Sequence, residues 1–216
     1  AASDVYKRQG FVPRVGGLAV FLSILVLIPL LSFGFIPLSV VFNLNTQQIT
    51  VLILSAVPVF FVGLAEDLGY AMSSKVRLTA SAISGFVAIL LFKVWLTRLG
   101  IPGLDMLLKF VPFAILFTIF ATVGVVNAFN LIDGLHGLSS YVAISVALSL
   151  SIIGFKAGDT QITIFLVLII ASVLGFMILN FPLGKIFLGD GGAYALGHLL
   201  VWSAIILINT SMKVSP

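Results

Sequence analysis

Seven long apolar stretches, separated by short polar interruptions, run along the chain. They cover approximately Gly16–Phe35, Ile49–Leu68, Leu78–Trp95, Val111–Asn130, Leu138–Phe155, Ile162–Leu179 and Ala193–Ile208. Each is close to the roughly 20 residues a helix needs to cross the hydrocarbon core of a bilayer. Apolar residues occupy most of the circumference of each stretch rather than one face, the pattern of helices embedded in lipid. Barrel strands would be about half as long and would alternate apolar with polar positions, and no such alternation appears. The expected fold class is all-α: a polytopic integral membrane protein with about seven transmembrane helices. No internal repeat or low-complexity tract is visible.

Composition narrows the function classes. Of 216 residues, 61% are hydrophobic and 8% charged, with a mean hydropathy of +1.28. A soluble domain carries about 25% charged residues, and no single one can cover so much apolar surface. A soluble enzyme and a disordered chain are both excluded. The chain has no cysteine, which removes disulfide frameworks and thiolate metal sites. His136 and His198 lie far apart in sequence, unlike the ligands of a histidine zinc site. The net charge of +4 fits loops facing anionic headgroups, and no nucleic-acid partner is expected. Residues 1–9, AASDVYKRQ, lack the apolar region of a signal peptide and read as an artefactual or disordered tail. Residues 10–216 read as one transmembrane domain, incomplete at both ends.

Seven spans assign each loop a side by parity. The segment before the first span shares a membrane face with the loops after spans two, four and six. That face collects Arg14, Glu66, Asp67, Lys75, Arg77, Asp133, Lys185 and Asp190, including four of the seven acids in the chain. Carboxylates near a bilayer are costly to hold and mark candidate functional sites. Basic residues divide almost evenly between the two faces, so charge counting does not orient the protein.

Three constellations on this face carry candidate chemistry. Glu66-Asp67 closes the second span. Adjacent carboxylates repel unless a cation offsets them, and hard oxygen ligands suit Mg²⁺ bound together with substrate phosphates; an acidic cap at a span end is the plainer alternative. In NAFNLIDGLHGL, Asn127, Asn130 and Asp133 recur at three-residue steps and would line one side of a continuing helix. Gly134 and Gly137 after them permit a sharp turn close to a ligand, or simply stop the helix. In NFPLGKIFLGDGGAYALG, the glycines around Asp190 at a helix start can offer backbone N–H groups to a phosphate while the carboxylate holds a metal. A flexible turn explains those glycines too, but not the acid. Gly184-Lys185 is no Walker motif, because Ile186 follows it.

The order of these motifs, from Pro13-Arg14-Val15-Gly16-Gly17 through the paired acid and NAFNLIDGLHGL to KIFLGDGGAY, resembles the polyprenyl-phosphate N-acetylhexosamine-1-phosphate transferases of glycosyltransferase family 4. The resemblance covers about residues 10–208 and implies that 10–216 is part of a ten- or eleven-helix transferase. It implies catalytic roles for Glu66, Asp67, Asp133 and Asp190, with Asp190 and Asp67 on Mg²⁺, or alternatively Mn²⁺. It also implies substrate contacts for Asn127, Asn130, Lys75, Arg77, Asn180, Phe187 and Gly134, with Asn180 and Phe187 toward the nucleoside. Two positions depart from the family pattern: Glu66 replaces the usual first aspartate, and His136 stands where some members carry Asp or Asn. The implied partners are a UDP-N-acetyl-hexosamine and a polyprenyl phosphate, in a bacterial plasma membrane with the acidic face cytoplasmic. Arg14-Val15-Gly16-Gly17 and NAFNLIDG look closer to GlcNAc-1-phosphate transferases than to the phospho-N-acetylmuramoyl-pentapeptide enzyme. A small-solute transporter is the rival class; it predicts acids near the bilayer midplane and paired repeats.

Overall fold

The computed structural model describes residues 12–32 and 46–214, and every regular element among them is an α-helix. In chain order these are α1 (Gly16–Ser32), α2 (Thr46–Asp67), α3 (Ser74–Phe92), α4 (Leu104–Leu108), α5 (Val111–Ile132), α6 (Leu138–Lys156), α7 (Thr160–Asn180) and α8 (Gly189–Val214). Six of them, α2, α3 and α5–α8, are long and apolar enough to cross a membrane, as the hydropathy pattern predicts. Helix α1 matches the first expected span, whose end at Phe35 lies outside the described residues, as does the tail 1–9.

The expected boundaries shift where local chemistry overrides hydropathy. Helix α3 begins at Ser74 rather than Leu78, because the Ser73 hydroxyl accepts the Val76 N–H as an N-cap. The polar first turn with Lys75 and Arg77 therefore belongs to the helix. It ends at Phe92 rather than Trp95: Lys93 turns left-handed with its N–H on the Ile89 carbonyl. The chain then runs extended along α5, where the Thr118 hydroxyl accepts the Leu96 N–H at 2.9 Å. Buried non-helical backbone needs such partners, since apolar surroundings supply none. The α7 start is likewise a cap, with the Asp159 carboxylate accepting the Ile162 N–H.

Helix α8 is the centre of the molecule. Of its most apolar stretch 83% is buried, against 22–44% for the other five spans. It packs against α1, α2, α5 and α6. Small residues allow this: a Cβ added to Gly197 would stand 3.0 Å from the Val126 Cα of α5. Two buried polar contacts tie helices together here. His198, fully buried, shares a 2.9 Å hydrogen bond through Nε2 with the Ser55 hydroxyl of α2. Next to Pro58 in α2, the Val59 N–H donates instead to Ser84 of α3 at 3.0 Å. These contacts hold the middles of α2, α3, α5 and α8 together, and Glu66, Asp67, Asp133 and Asp190 lie at or just beyond helix ends.

Candidate active site

The site is organised around the start of α8. Both oxygens of Asp67, the last residue of α2, accept backbone N–H groups there, from Asp190 and from Gly191, each at 2.9 Å. A carboxylate on the exposed amides of a helix N-terminus also meets the positive end of the helix dipole. Gly189 permits this approach, since its φ is +80° and a Cβ there would fall 2.6 Å from an Asp67 oxygen. The N–H groups expected to cradle a phosphate are thus occupied by Asp67. The other glycines of the motif serve packing: a Cβ on Gly191 would sit 3.0 Å from the Leu64 backbone, and one on Gly192 2.4 Å from the Gly17 Cα.

Asp190 is held from two sides. The Asn130 side-chain amide donates to one of its oxygens, and the Arg14 guanidinium lies 3.6 Å from the other. Glu66 pairs with Arg77 of α3 at 3.4 Å. Its second oxygen, Oε2, is buried with no hydrogen-bond partner among the described residues. Tyr194, one turn into α8, is buried beside Arg77 and Glu66.

Asp133 does not continue the helical row with Asn127 and Asn130, because α5 stops at Ile132 and Asp133 is its C-cap. The glycine-rich turn that follows brings α6 back toward it, and the Ser139 hydroxyl donates to its carboxylate at 2.5 Å. Burial pushes the Asp133 carboxyl up to about 6. The bonds from Ser139 and from the Gly189 N–H oppose that rise, and the charges of Asp190 and Asp67 add to it.

The remaining predicted residues divide. Asn127 donates to the Val123 carbonyl and, with Ser74, Arg77, Leu78, Asn130 and Leu131, lines a cleft of about 210 Å³ between α3 and α5. Phe187 is half-buried and lies against the His136 ring, 5.2 Å between centroids. Asn180 is buried: its oxygen accepts the Gly137 N–H and its amide donates to the Ile186 carbonyl. It braces the two site loops against each other and has no polar atom left facing solvent. Lys75 is exposed and joins none of the site's ion pairs among the described residues. A Cβ added to Gly134 would meet nothing within 4 Å among the described residues.

Three participants are absent from the sequence-based set: Arg14 as the Asp190 partner, Ser139 and Tyr194. Arg14 carries a signal in sequence, a guanidinium on the acidic face. Ser139 and Tyr194 carry none, because their roles depend on how the helices meet.

The arrangement suits a hard divalent cation only in company with a ligand. Among the described residues no three acidic or histidine side chains stand close enough to enclose an ion. Mg²⁺ is commonly held by one or two carboxylates plus phosphate oxygens, so a partial shell is adequate. The buried, unpartnered Glu66 oxygen marks acceptor capacity in reserve. Asp67 commits one lone pair of each oxygen to α8 and retains others.

Comparison with known proteins agrees with the motif reading. The family model described as Glycosyl transferase family 4 matches residues 49–208. The chain is 29% identical over 216 residues to the undecaprenyl-phosphate alpha-N-acetylglucosaminyl 1-phosphate transferase of Escherichia coli strain K12, covering 97% of this chain and 54% of that protein. It is 33% identical over 170 residues to the phospho-N-acetylmuramoyl-pentapeptide-transferase of Clostridium perfringens strain 13, with 75% and 54% covered. The enzyme of that name from Clostridium botulinum strain Alaska E43 is 31% identical over 210 residues, with 93% and 61% covered. The chain spans little more than half the length of these relatives.

Proposed function

The chain belongs to glycosyl transferase family 4, and from that premise we propose that it takes part in transferring a sugar-1-phosphate from a UDP-N-acetyl-hexosamine to a polyprenyl phosphate. A phosphate oxygen of the lipid attacks the β-phosphorus of the nucleotide sugar. A new P–O bond forms the lipid diphosphosugar, the bond to the UMP oxygen breaks, and UMP leaves. One observation carries this reading: Glu66, Asp67, Asp133 and Asp190 converge with Arg14 and Arg77 at one end of a membrane helix bundle. One substrate is a membrane lipid and the other water-soluble, so an interfacial charged site is where they can meet.

Each group has a task in that chemistry. Asp190 and Asp67 would hold Mg²⁺ with the substrate phosphates, and the ion would neutralise charge on the diphosphate and the departing UMP. Asp67 fixes the start of α8 and with it the position of Asp190. Arg77, tethered to Glu66, faces the cleft between α3 and α5 and is available to a phosphate there. Phe187 beside His136 offers an aromatic face for a nucleobase. A lipid phosphate is already anionic near neutral pH, so Glu66 need not act as a base and instead tunes charge and placement. GlcNAc-1-phosphate is the favoured transferred group, and a bacterial plasma membrane with this face in the cytoplasm, where nucleotide sugars are made, is the favoured setting.

The test is a transfer assay with undecaprenyl phosphate and a panel of donors, UDP-GlcNAc and UDP-N-acetylmuramoyl-pentapeptide among them. Asp190→Asn should lower turnover at least about a hundredfold, the scale of losing one electrostatic catalytic group. Glu66→Asp should keep substantial activity and Glu66→Gln should lose more, since only the latter removes the charge that pairs Arg77. UMP release by no donor would end the transferase reading. Near-normal turnover of Asp190→Asn at saturating Mg²⁺ would remove Asp190 from the reaction.

A further inference from the structure

Arg14 stands outside every helix, yet its backbone is held. The Phe187 N–H donates to the Pro13 carbonyl at 3.0 Å, and the N–H groups of Gly16 and Gly17 donate to the carbonyls of Phe187 and Leu188 at 3.0 and 2.6 Å. Three hydrogen bonds thus clamp the segment entering α1 along the loop entering α8. A Cβ on Gly16 would lie 2.6 Å from the Phe187 carbonyl oxygen, so the two strands of chain run in close contact. The clamp sets Arg14 against Asp190.

The two partners differ in freedom. The Arg14 side chain is 59% exposed, whereas Asp190 is 19% exposed and is gripped by the Asn130 amide. At 3.6 Å the guanidinium and carboxylate attract without hydrogen-bond contact. Exposed pairs of this kind are weak and easily exchanged. The second pair, Arg77 with Glu66, is closer and more sheltered, with 29% and 20% exposure. Asp190 therefore carries a replaceable positive partner on its solvent side, mounted on a fixed backbone.

We propose that Arg14 is a place-holding cation: it neutralises Asp190 while no divalent ion is bound, and moves onto the diphosphate of the nucleotide sugar when such an ion takes that carboxylate. This rests on the transferase reading above. Four carboxylates gathered at one helix end repel one another, so the cluster needs positive charge in both states. An arginine fork matches two phosphate oxygens as well as it matches a carboxylate, which lets one side chain serve both partners. The hydrogen-bonded clamp keeps the guanidinium within reach of either.

The proposal predicts effects of opposite sign, which a merely structural arginine would not produce. The full chain in lipid nanodiscs is titrated with Mn²⁺ alone, followed by electron paramagnetic resonance, and with UDP in saturating Mn²⁺, followed by calorimetry. Arg14→Gln should bind Mn²⁺ about two- to fivefold tighter, the scale of one exposed ion pair removed. It should bind UDP at least about tenfold more weakly, the scale of a lost charge-assisted hydrogen bond. Lys185→Gln removes the same charge from the neighbouring loop, where it joins no ion pair among the described residues, and should alter neither by more than about twofold. Mn²⁺ binding that is unchanged or weaker in Arg14→Gln, UDP binding that the unaltered chain shows and Arg14→Gln leaves unchanged, or an equal tightening in Lys185→Gln would each overturn the proposal. If the unaltered chain binds Mn²⁺ but no UDP while Arg14→Gln still tightens Mn²⁺, the transferase reading fails and the place-holding half stands.

Discussion

Asp133 caps α5 just beyond the apolar span, and its carboxyl, pushed up to about 6 chiefly by burial, makes stability depend on pH. The folded chain holds this proton to a higher pH than the unfolded chain, whose carboxyl titrates near 3.8. The group therefore favours the fold fully below about pH 4, and that contribution is lost as pH rises through 6. Asp133→Asn cannot ionise, yet its amide oxygen can still accept from Ser139 and the Gly189 N–H. In thermal unfolding without divalent ions, Asp133→Asn should melt higher than the unaltered chain at pH 7–8 and similarly at pH 4. A difference of the same size at both pH values would show that charge at this position is irrelevant. Asp67 gives the residue-scale counterpoint: its charge was legible in sequence, but its use as the cap of α8 was not, because its partners lie more than 120 residues away.

Among the elements, the contact of α1, α2 and α8 depends on glycines meeting backbone to backbone. A Cβ on Gly17 would fall 2.3 Å from the Gly192 Cα, and one on Gly63 would fall 2.5 Å from the Gly191 Cα. No side-chain rotation relieves a clash with backbone, so the helices would have to separate and Asp190 would move with α8. Gly17→Ala should destabilise by about 1–3 kcal/mol, the usual range for overpacking, and should lower transfer activity as well. Gly124→Ala is the matched control, since nothing lies within 4 Å of its added Cβ; its melting temperature should equal or slightly exceed that of the unaltered chain, alanine being the better helix former. Equal loss in both variants, read by thermal unfolding in detergent, would mean that helical glycine in general, not this contact, matters. In sequence the Gly-Asp-Gly-Gly run suggests a phosphate cradle; close helix packing and a turn beside Asp67 are what it provides.

The whole molecule places its charged end on one side of a bundle. Met106 of α4 precedes α5, Leu135 follows it, and Leu183 lies in the loop before α8; all three are more than 60% exposed. These 216 residues contain no cysteine, so single cysteines introduced into them can be read without background. In sealed vesicles, an impermeant maleimide should label Leu135→Cys and Leu183→Cys from one side and Met106→Cys from the other. Labelling of all three from the same side would refute the alternation of the spans and, with it, the gathering of the acids on one membrane face.

What the sequence determined by itself follows from solvent and chain connectivity. Long apolar stretches must become helices in lipid, where backbone groups find no water, and alternating spans force Glu66, Asp67, Asp133 and Asp190 to a common side. The motif order was sufficient to indicate the family. Tertiary structure alone decided which helix is central, that Asp67 caps α8, and which cation faces which acid. Those outcomes depend on contacts between distant segments, such as Asp67 with α8, Arg14 with Asp190 and Gly17 with Gly192. Local hydropathy has no term for such contacts, because their energy exists only once the helices have met.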